Sequence, residues 1–449
     1  MNNRRKLIIA LGASALAEPF GTFAQQQGKV WRIGFLANAC LFHFFFRETG
    51  MEKRTRRYSH VTVGVLLVVF WFFGHAGLAG ADNEGCQQAV GKDFLSASPA
   101  DIRLPDPLLK LNEALDAGTY DIRSLLMVRD CALVFERYKD GIERDHNHTI
   151  YSVTKSITAT LVGALLLQGK LKSVDINISE LMSKPWSLRE DDWKKAQRIT
   201  LRNVMQMSSG LAYKHDPAGH PIYAVNADRF AIALTPELIA EPGTRFTYSD
   251  GDVSITGAMA AAAADKNLYR FAKEVLFDPL QMSNYDWAFM DHAGRYPGGW
   301  GLRLRPMDMA KIGQLYLQNG EWNGRRVFGP DFREIAWTPG VNKFYALHWW
   351  IGSAQEAKGV PYIVAVGFKS QRIFIFPTLR LVAVVTASLP GVEERKVNGL
   401  IVGALVDAFG QSSAVDASGT LAALAAVQKK GFRGETRVFQ ESQDSPRRF

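Results

Sequence analysis

The chain has 449 residues, of which 47% are hydrophobic and 22% are charged, enough for one large domain or two ordinary ones. Its net charge of +9 is concentrated near the N-terminus, because ten of the 53 basic residues but only three of the 44 acidic residues fall in residues 1–81. Residues 82–449 therefore carry a net charge of +2, which gives no electrostatic argument for a nucleic-acid partner.

Two segments at the N-terminus each have the features of an export signal. The first begins MNNRRKLIIALGASALA and continues FAQQQGKVWRIGFLANA, which resembles the start of periplasmic substrate-binding proteins. The second begins at Met51 with basic residues, continues through an apolar run and ends at Ala79-Gly80-Ala81. We predict that Met51 is the true start, that residues 1–50 are a fused or misassigned extension, and that cleavage follows Ala81. An uncleaved anchor at residues 61–80 is the alternative.

Cysteine usage is sparse. Of Cys40, Cys86 and Cys131, only the last two follow the predicted cleavage site. They can pair in an oxidising periplasm, or they can stay separate thiols, since a sequence does not give their distance.

After residue 82, strands are predicted near both ends of the chain, and helices are predicted mainly between them. Residues 82–110 read as irregular, residues 124–144 as a hairpin, and residues 431–449 as a loose charged tail. Helices are predicted at 153–168, 199–211, 305–322 and 397–409, with a loop and then a helix within 235–280; strands are predicted at 362–368, 372–377 and 380–388. This order predicts an α+β fold: an antiparallel sheet built from both ends of the mature chain, with a mostly helical domain inserted between them.

The helix at 153–168 follows a polar pair, Ser152 and Lys155, in the segment YSVTKSITATLVGALLLQGKL. Residues three apart lie on the same face of a helix, so the two side chains should touch near its N-terminus. Burial would favour a neutral lysine that takes a proton from the serine. The alternative is an N-capping serine beside a solvated lysine.

Two further stretches favour the catalytic interpretation. EPGTRFTYSDGDVSITG places Tyr248, Ser249 and Asp250 before a helix, and VGFKSQRIFIFP places a polar turn beside a strand. With Ser-x-x-Lys, these resemble the β-lactamase-like serine hydrolases, most closely the class C β-lactamase branch with 6-aminohexanoate-dimer hydrolases and esterases. The resemblance covers residues 104–409 and implies the β-lactamase/transpeptidase-like fold.

The resemblance also implies a role for each motif. Ser152 would be the nucleophile that forms an acyl-enzyme, Lys155 its activating partner and Tyr248 the general acid/base. The Ser152 N–H and a backbone N–H of the third motif, placed at Gln371, would bind the oxyanion.

Three residues depart from the family pattern. Asp250 stands where the family often has asparagine, and its carboxylate could hold Lys155 protonated and shift the role of base to Tyr248. Ser370 replaces a glycine and adds a side chain where substrate approaches. Lys369 either attracts a substrate carboxylate or is a solvated rim lysine.

The histidines do not predict a metal site, because neither His146 with His148 nor His215 with His220 has helical ligand spacing and a third ligand. His348-Trp349-Trp350 is expected to line or support the pocket, with packing the simpler reading of the tryptophans. No cofactor is expected, and the oligomeric state stays open.

The predicted function is that of an exported bacterial serine hydrolase, periplasmic or secreted, or anchored in the inner membrane if the signal is kept. It would cleave a small-molecule amide or ester. The alternatives are a β-lactamase or penicillin-binding D-Ala-D-Ala peptidase, and a degenerate binding protein of the same fold. A further alternative, a transporter substrate-binding protein, is supported only by residues 1–39. The domains predicted are an extension at 1–50, a signal or anchor at 51–81, the hydrolase at 82–430 and the tail at 431–449.

Overall fold

The computed structural model describes residues 93–97, 105–217, 219–224, 226–410 and 418–432. The two export-like segments, Cys40, Cys86 and nearly all of the predicted tail lie outside the described residues. Cys131 is disulfide-bonded, and its partner also lies outside them, so pairing with Cys86 stays a prediction. None of the helices in the described ranges is both long enough and apolar enough to span a membrane.

The strands fall mainly at the two ends of the described chain. They are β1 (Leu95–Ser96), β2 (Ile122–Arg129), β3 (Ala132–Tyr138), β4 (His148–Thr149), β5 (Asp286–Trp287), β6 (Leu302–Leu304), β7 (Glu321–Trp322), β8 (Arg325–Arg326), β9 (Trp350–Ile351), β10 (Ile363–Gly367), β11 (Gln371–Phe376) and β12 (Leu381–Ala387).

The α-helices of the described residues lie mostly between these two groups of strands. They are α1 (Pro105–Ala117), α2 (Val153–Leu167), α3 (Ile178–Leu181), α4 (Glu190–Lys194), α5 (Leu201–Met205), α6 (Arg229–Leu234), α7 (Asp250–Ala264), α8 (Leu268–Ala272), α9 (Pro306–Leu317), α10 (Pro330–Trp337), α11 (Gly391–Phe409) and α12 (Ser418–Gln428).

The main sheet joins the two ends of the domain, as the sequence predicted. Its strand order is β1-β3-β2-β12-β11-β10-β9, so the late strand β12 lies between the N-terminal hairpin and the C-terminal strands. β12 pairs antiparallel with β2 from Leu381↔Arg129 to Ala387↔Ile122. The sheet is antiparallel except at one edge, where β1 pairs parallel with β3. The α+β prediction is therefore confirmed.

Both faces of this sheet are covered by helices. Alternate residues of β12 point to opposite sides: Val382 and Val384 join the core beneath α2 and α9, whereas Ala383 and Val385 join the core beneath α1 and α11. A strand that is buried on both faces reads as a continuous apolar run rather than an alternating one. This explains the sequence LVAVVTA, in which every residue of β12 is buried.

Several predicted bounds were wrong. The first six residues of α1 lie in the segment read as irregular, and the helix predicted at 305–322 ends at Leu317. The helix predicted at 199–211 ends at Met205, because Met207 adopts a left-handed backbone with φ 55°. The carbonyls of Met207 and Ser208 accept hydrogen bonds from a later segment instead: Thr247 N–H donates to Met207 O, and Gly243 N–H donates to Ser208 O. The segment 207–211 is thereby tied to the residues that precede α7.

Candidate active site

The N-terminus of α2 carries a strained turn next to Ser152. Tyr151 has φ 46°, a conformation that is unfavourable for a bulky side chain and costs about 1–3 kcal/mol. Ser152 precedes the first helical residue, yet its side chain makes no capping hydrogen bond. Its partner is Lys155, whose Nζ donates to Ser152 Oγ at 3.0 Å. The expected contact is present, and the capping alternative is wrong.

Lys155 is buried, with 2% of its surface exposed, so it is not a solvated lysine. Its ammonium group has three acceptors: Ser152 Oγ, Asp250 Oδ1 at 2.6 Å and Gly299 O at 3.2 Å. Three acceptors match the three N–H donors of an ammonium group. Because Ser152 Oγ accepts one of these bonds, its own hydroxyl proton is free to be donated to another group.

The charges of Lys155 and Asp250 stabilise each other. Burial by itself would lower the pKa of Lys155, but Asp250 and Tyr248 outweigh it and raise the pKa above its ordinary value. Burial likewise opposes ionisation of Asp250, and Lys155 outweighs it, so the pKa of Asp250 is lowered. The pair is therefore ammonium and carboxylate. The neutral lysine considered from the sequence is wrong, and the pairing with Asp250 that the sequence also suggested is present.

Tyr248 lies beside this pair. Lys155 Nζ is 5.0 Å from the centroid of the Tyr248 ring. The half-buried ring stacks on Trp350 with centroids 5.8 Å apart and meets Tyr345 edge-on at 6.1 Å. These contacts hold the Tyr248 ring next to the ammonium group.

The residues after Tyr248 fix the start of α7. Ser249 caps the helix by accepting a hydrogen bond from Asp252 N–H at 3.0 Å. The Asp252 carboxylate is buried and accepts from Ser209 Oγ at 2.7 Å. Tyr248 and Asp250 are therefore held at a capped helix end, which is bound through Asp252 to Ser209 in the segment 207–211.

The third motif forms the turn between β10 and β11, in which Gly367 pairs with Gln371. A Cβ atom on Gly367 would lie 2.3 Å from Ile150 O, so only glycine lets this strand approach the segment before Ser152. The ring of Phe368 meets that of Tyr151 at 5.6 Å. The turn is therefore brought next to the candidate nucleophile.

The side chains of this turn do not point in the directions that the sequence suggested. Ser370 is fully buried and donates from Oγ to Asn398 Oδ1 at 3.0 Å, which directs it towards α11. The expectation that it intrudes on the substrate is wrong, because φ 70° turns the side chain inward. The Gln371 amide is also buried and donates to three carbonyls, including Ala387 O at 2.7 Å. The role of its backbone N–H stays a prediction.

Lys369 is buried rather than solvated, with 7% of its surface exposed. Its Nζ lies 5.4 Å from the Phe368 ring centroid and 6.0 Å from that of Tyr151. The reading as a rim lysine is therefore wrong. A role in attracting a substrate carboxylate stays a prediction.

The histidines pack or border the site. Within the described residues, no group of three or more His, Cys, Asp or Glu side chains could hold a metal ion. His348 is buried, its Nε2 lies 3.1 Å from Thr256 Oγ1, and burial followed by Lys155 lowers its pKa well below the usual value. Trp349 is buried against Tyr316, whereas Trp350 supports Tyr248. His215 lies 3.7 Å from Asp250 Oδ2.

Sequence reasoning missed two residues that contact the Lys155–Asp250 pair. Gly299 accepts from Lys155, and a Cβ atom there would lie 3.0 Å from its Nζ. Tyr223 donates from its hydroxyl to Asp250 Oδ2. It lies in a segment without a motif, so the sequence offered no signal for it.

Known proteins share this arrangement of elements. The chain is 22% identical over 346 residues to the 6-aminohexanoate-dimer hydrolase of Paenarthrobacter ureafaciens, which covers 70% of this chain and 82% of that protein. A solved structure from Bacillus anthracis, provisionally described as a 6-aminohexanoate-dimer hydrolase, has a TM-score of 0.55 at 21% identity, covering 67% of this chain and 83% of that chain. The octameric penicillin-binding protein homologue from Pyrococcus abyssi has a TM-score of 0.53 at 16% identity, covering 67% and 77%.

These likenesses confirm the β-lactamase/transpeptidase-like fold. At such identities they do not by themselves carry a substrate over to this chain. The sequence profile of the Beta-lactamase family matches residues 123–406, which is more than half of the chain and contains all three motifs. This chain therefore belongs to the beta-lactamase family.

Proposed function

We propose that this protein is a serine hydrolase that cleaves an amide or ester bond through an acyl-enzyme on Ser152. The observation that carries the proposal is the contact of Ser152 Oγ, at 3.0 Å, with a buried lysine that three acceptors hold as an ammonium group. The named activity of the Paenarthrobacter relative, hydrolysis of a 6-aminohexanoate dimer, supports an amide or a related ester as substrate.

The geometry divides the roles within the site. An ammonium group cannot accept the serine proton, so Lys155 acts by holding Ser152 Oγ. Tyr248, whose ring centroid lies 5.0 Å from Lys155 Nζ, is proposed as the base. Tyr248 then takes the hydroxyl proton as Ser152 Oγ attacks the carbonyl carbon. It returns that proton to the leaving group, and later takes a proton from the water that hydrolyses the acyl-enzyme. The N–H groups of Ser152 and of the 367–371 turn are proposed to bind the oxyanion.

Fluorophosphonate labelling tests the nucleophile. The purified chain and its Ser152→Ala variant are exposed to a fluorophosphonate probe and analysed by intact-mass spectrometry. We expect one adduct on the wild type, none on the variant, and loss of all turnover of p-nitrophenyl esters in the variant. A variant that keeps full activity would refute the proposal, provided that both proteins unfold at the same temperature.

Substrate assays separate this proposal from its alternatives. Fast hydrolysis of p-nitrophenyl esters with slow hydrolysis of nitrocefin is expected of an amidase or esterase, whereas the opposite ranking would indicate a β-lactamase or a penicillin-recognising peptidase. Binding without turnover would indicate a degenerate binding protein. Ser370 no longer supports that last alternative, since its side chain is buried away from the substrate.

We also propose export, based on the signal-like segment from Met51 to Ala81. N-terminal sequencing of the protein from a bacterial periplasmic fraction tests this proposal. A new N-terminus at Asp82 is expected; retention of residues 61–80 in a membrane fraction would favour the anchor.

A further inference from the structure

Tyr223 occupies the side of Asp250 that Lys155 leaves open. Lys155 bonds to Oδ1, and the Tyr223 hydroxyl donates to Oδ2. The same hydroxyl lies 3.0 Å from Tyr213 OH and 3.4 Å from His215 Nδ1. Both carboxylate oxygens are therefore engaged by groups from different parts of the chain, one on α2 and one on the segment before α6.

The protein holds Tyr223 firmly in this place. It ends a short 3₁₀ turn, Pro221–Tyr223, and the buried Arg229 bonds to Ile222 O at 3.1 Å and to Phe289 O at 2.7 Å. The Tyr223 ring packs on Trp300 with centroids 5.1 Å apart. Trp300 follows Gly299, the third acceptor of Lys155. The turn is thus anchored to the segment just before β6, which also supplies the third acceptor of the Lys155 ammonium group.

Tyr223 is suited to act as a permanent donor. Burial, followed by the charge of Asp250, raises the pKa of its phenol far above the usual value. A neutral phenol beside an ionised carboxylate forms a charge-assisted hydrogen bond, which is stronger than a neutral one. Such a bond fixes the plane of the carboxylate and draws part of its charge away from Lys155.

We propose that Tyr223 is a positioning residue for the hydrolysis put forward above: by holding the second oxygen of Asp250, it sets where Lys155 sits between Ser152 and Tyr248. This inference depends on the proposed function of Ser152. Without the Tyr223 hydroxyl, the carboxylate can turn and carries more charge towards Lys155. The ammonium group then moves towards Asp250, contacts Ser152 less well and lies farther from the Tyr248 ring.

The pH dependence of the rate reports this change, because the acid limb of the profile follows protonation of the base. With Lys155 displaced, we expect that limb to move to higher pH. Other titratable or charged groups also face this part of the site: Tyr213, His215 and His220 on the overlying segment face Asp250, and Tyr345 on the segment before β9 and Arg372 on β11 face Tyr248. His215 is the most solvent-accessible of the groups bonded or paired here, with 58% of its side chain exposed.

Tyr223→Phe tests the proposal, with Tyr213→Phe as the matched control. The control deletes the same atom from the same segment, but its hydroxyl bonds to Tyr223. The rate of fluorophosphonate labelling of Ser152 and kcat/KM for p-nitrophenyl acetate are measured from pH 5 to pH 10. We expect Tyr223→Phe to slow labelling about tenfold at pH 7, the size of one hydrogen bond to a charged group, to shift the acid limb upward by about half a unit, and to leave KM within about twofold. Tyr213→Phe should have a clearly smaller effect than Tyr223→Phe, because its hydroxyl reaches Asp250 Oδ2 only through Tyr223.

A double-mutant cycle with Asp250→Asn completes the test, because asparagine has one acceptor oxygen, which the Lys155 ammonium group requires, and its amide nitrogen cannot accept the Tyr223 hydrogen bond. The effect of Tyr223→Phe should largely disappear in that background. Equal losses in Tyr223→Phe and Tyr213→Phe without a shift of the pH profile, or full additivity in the cycle, would overturn the inference. Failure of the proposed function would look different, since the wild type itself would then not be labelled.

Discussion

Asp252 should make the stability of this protein depend on pH. Its carboxyl group is buried in the first turn of α7, and its polar contacts are to Ser209 and Ser249. Burial raises the pKa of Asp252 from 3.8 to about 7, and the bonds from the two serines offset only part of that rise. A carboxyl group buried without a cation is the physical origin of this shift.

The shift has a definite sign. The folded state holds the proton of Asp252 more tightly than the unfolded state, so the contribution of this group to stability is complete below about pH 4 and is lost as the pH rises through about 7. A rise of about three pKa units corresponds to roughly 4 kcal/mol in total. Between pH 5 and pH 8 the expected loss is about 2–3 kcal/mol, because part of it has already occurred by pH 5.

Asp252→Asn removes the titration and keeps an oxygen that can accept from Ser209. Urea unfolding of the wild type and the variant is followed by tryptophan fluorescence at pH 5 and at pH 8. The variant should gain about 2–3 kcal/mol relative to the wild type between the two pH values, whatever their difference at pH 5. Parallel pH profiles for the two proteins would refute the reasoning, because the carboxyl group would then titrate alike in the folded and unfolded states.

Two substitutions test the turn beside Ser152. Gly367→Ala should slow fluorophosphonate labelling of Ser152 by at least tenfold, because its Cβ atom would lie 2.3 Å from Ile150 O and must push the strand from the nucleophile; wild-type labelling would contradict this close approach. Ser370→Ala should keep the proposed esterase activity within about twofold and lower stability by about 1 kcal/mol through the lost bond to Asn398; a changed KM with unchanged stability would indicate that Ser370 contacts the substrate.

The sequence predicted those parts of the site that depend on local geometry or on motifs. Ser152 and Lys155 touch because a helix brings residues three apart together, and the long apolar runs became the central strands. The family resemblance located Tyr248 and Asp250, which do lie beside Lys155; their catalytic roles stay predictions. The contact of Ser152 with Lys155 could be predicted because the relevant information lies within a few neighbouring residues.

The rest depends on contacts between distant segments. Ser370 points inward because two successive left-handed residues shape the turn and Asn398, 28 positions later, accepts its hydroxyl. Tyr223 reaches Asp250 from a segment without regular periodicity. The charge state of Lys155 follows from its contact with Asp250, 95 positions later, which outweighs the effect of burial. Orientation and desolvation are properties of the folded chain, so motifs could name the residues but could not orient them.

The position of β12 has a consequence for how the protein is made. Ser124 on β2 bonds to Thr386 on β12, 262 positions later. In the sheet, β12 lies between the β2–β3 hairpin and strands β9 to β11, although it follows all of them in the chain. A nascent chain must therefore emerge from the ribosome almost to the end of the domain before its central sheet can close. Pairings this distant slow folding, and a product that stops before residue 381 leaves the hairpin with an uncovered edge that is prone to association. The site proposed at Ser152 is thus complete only after residues 381–387 have been synthesised.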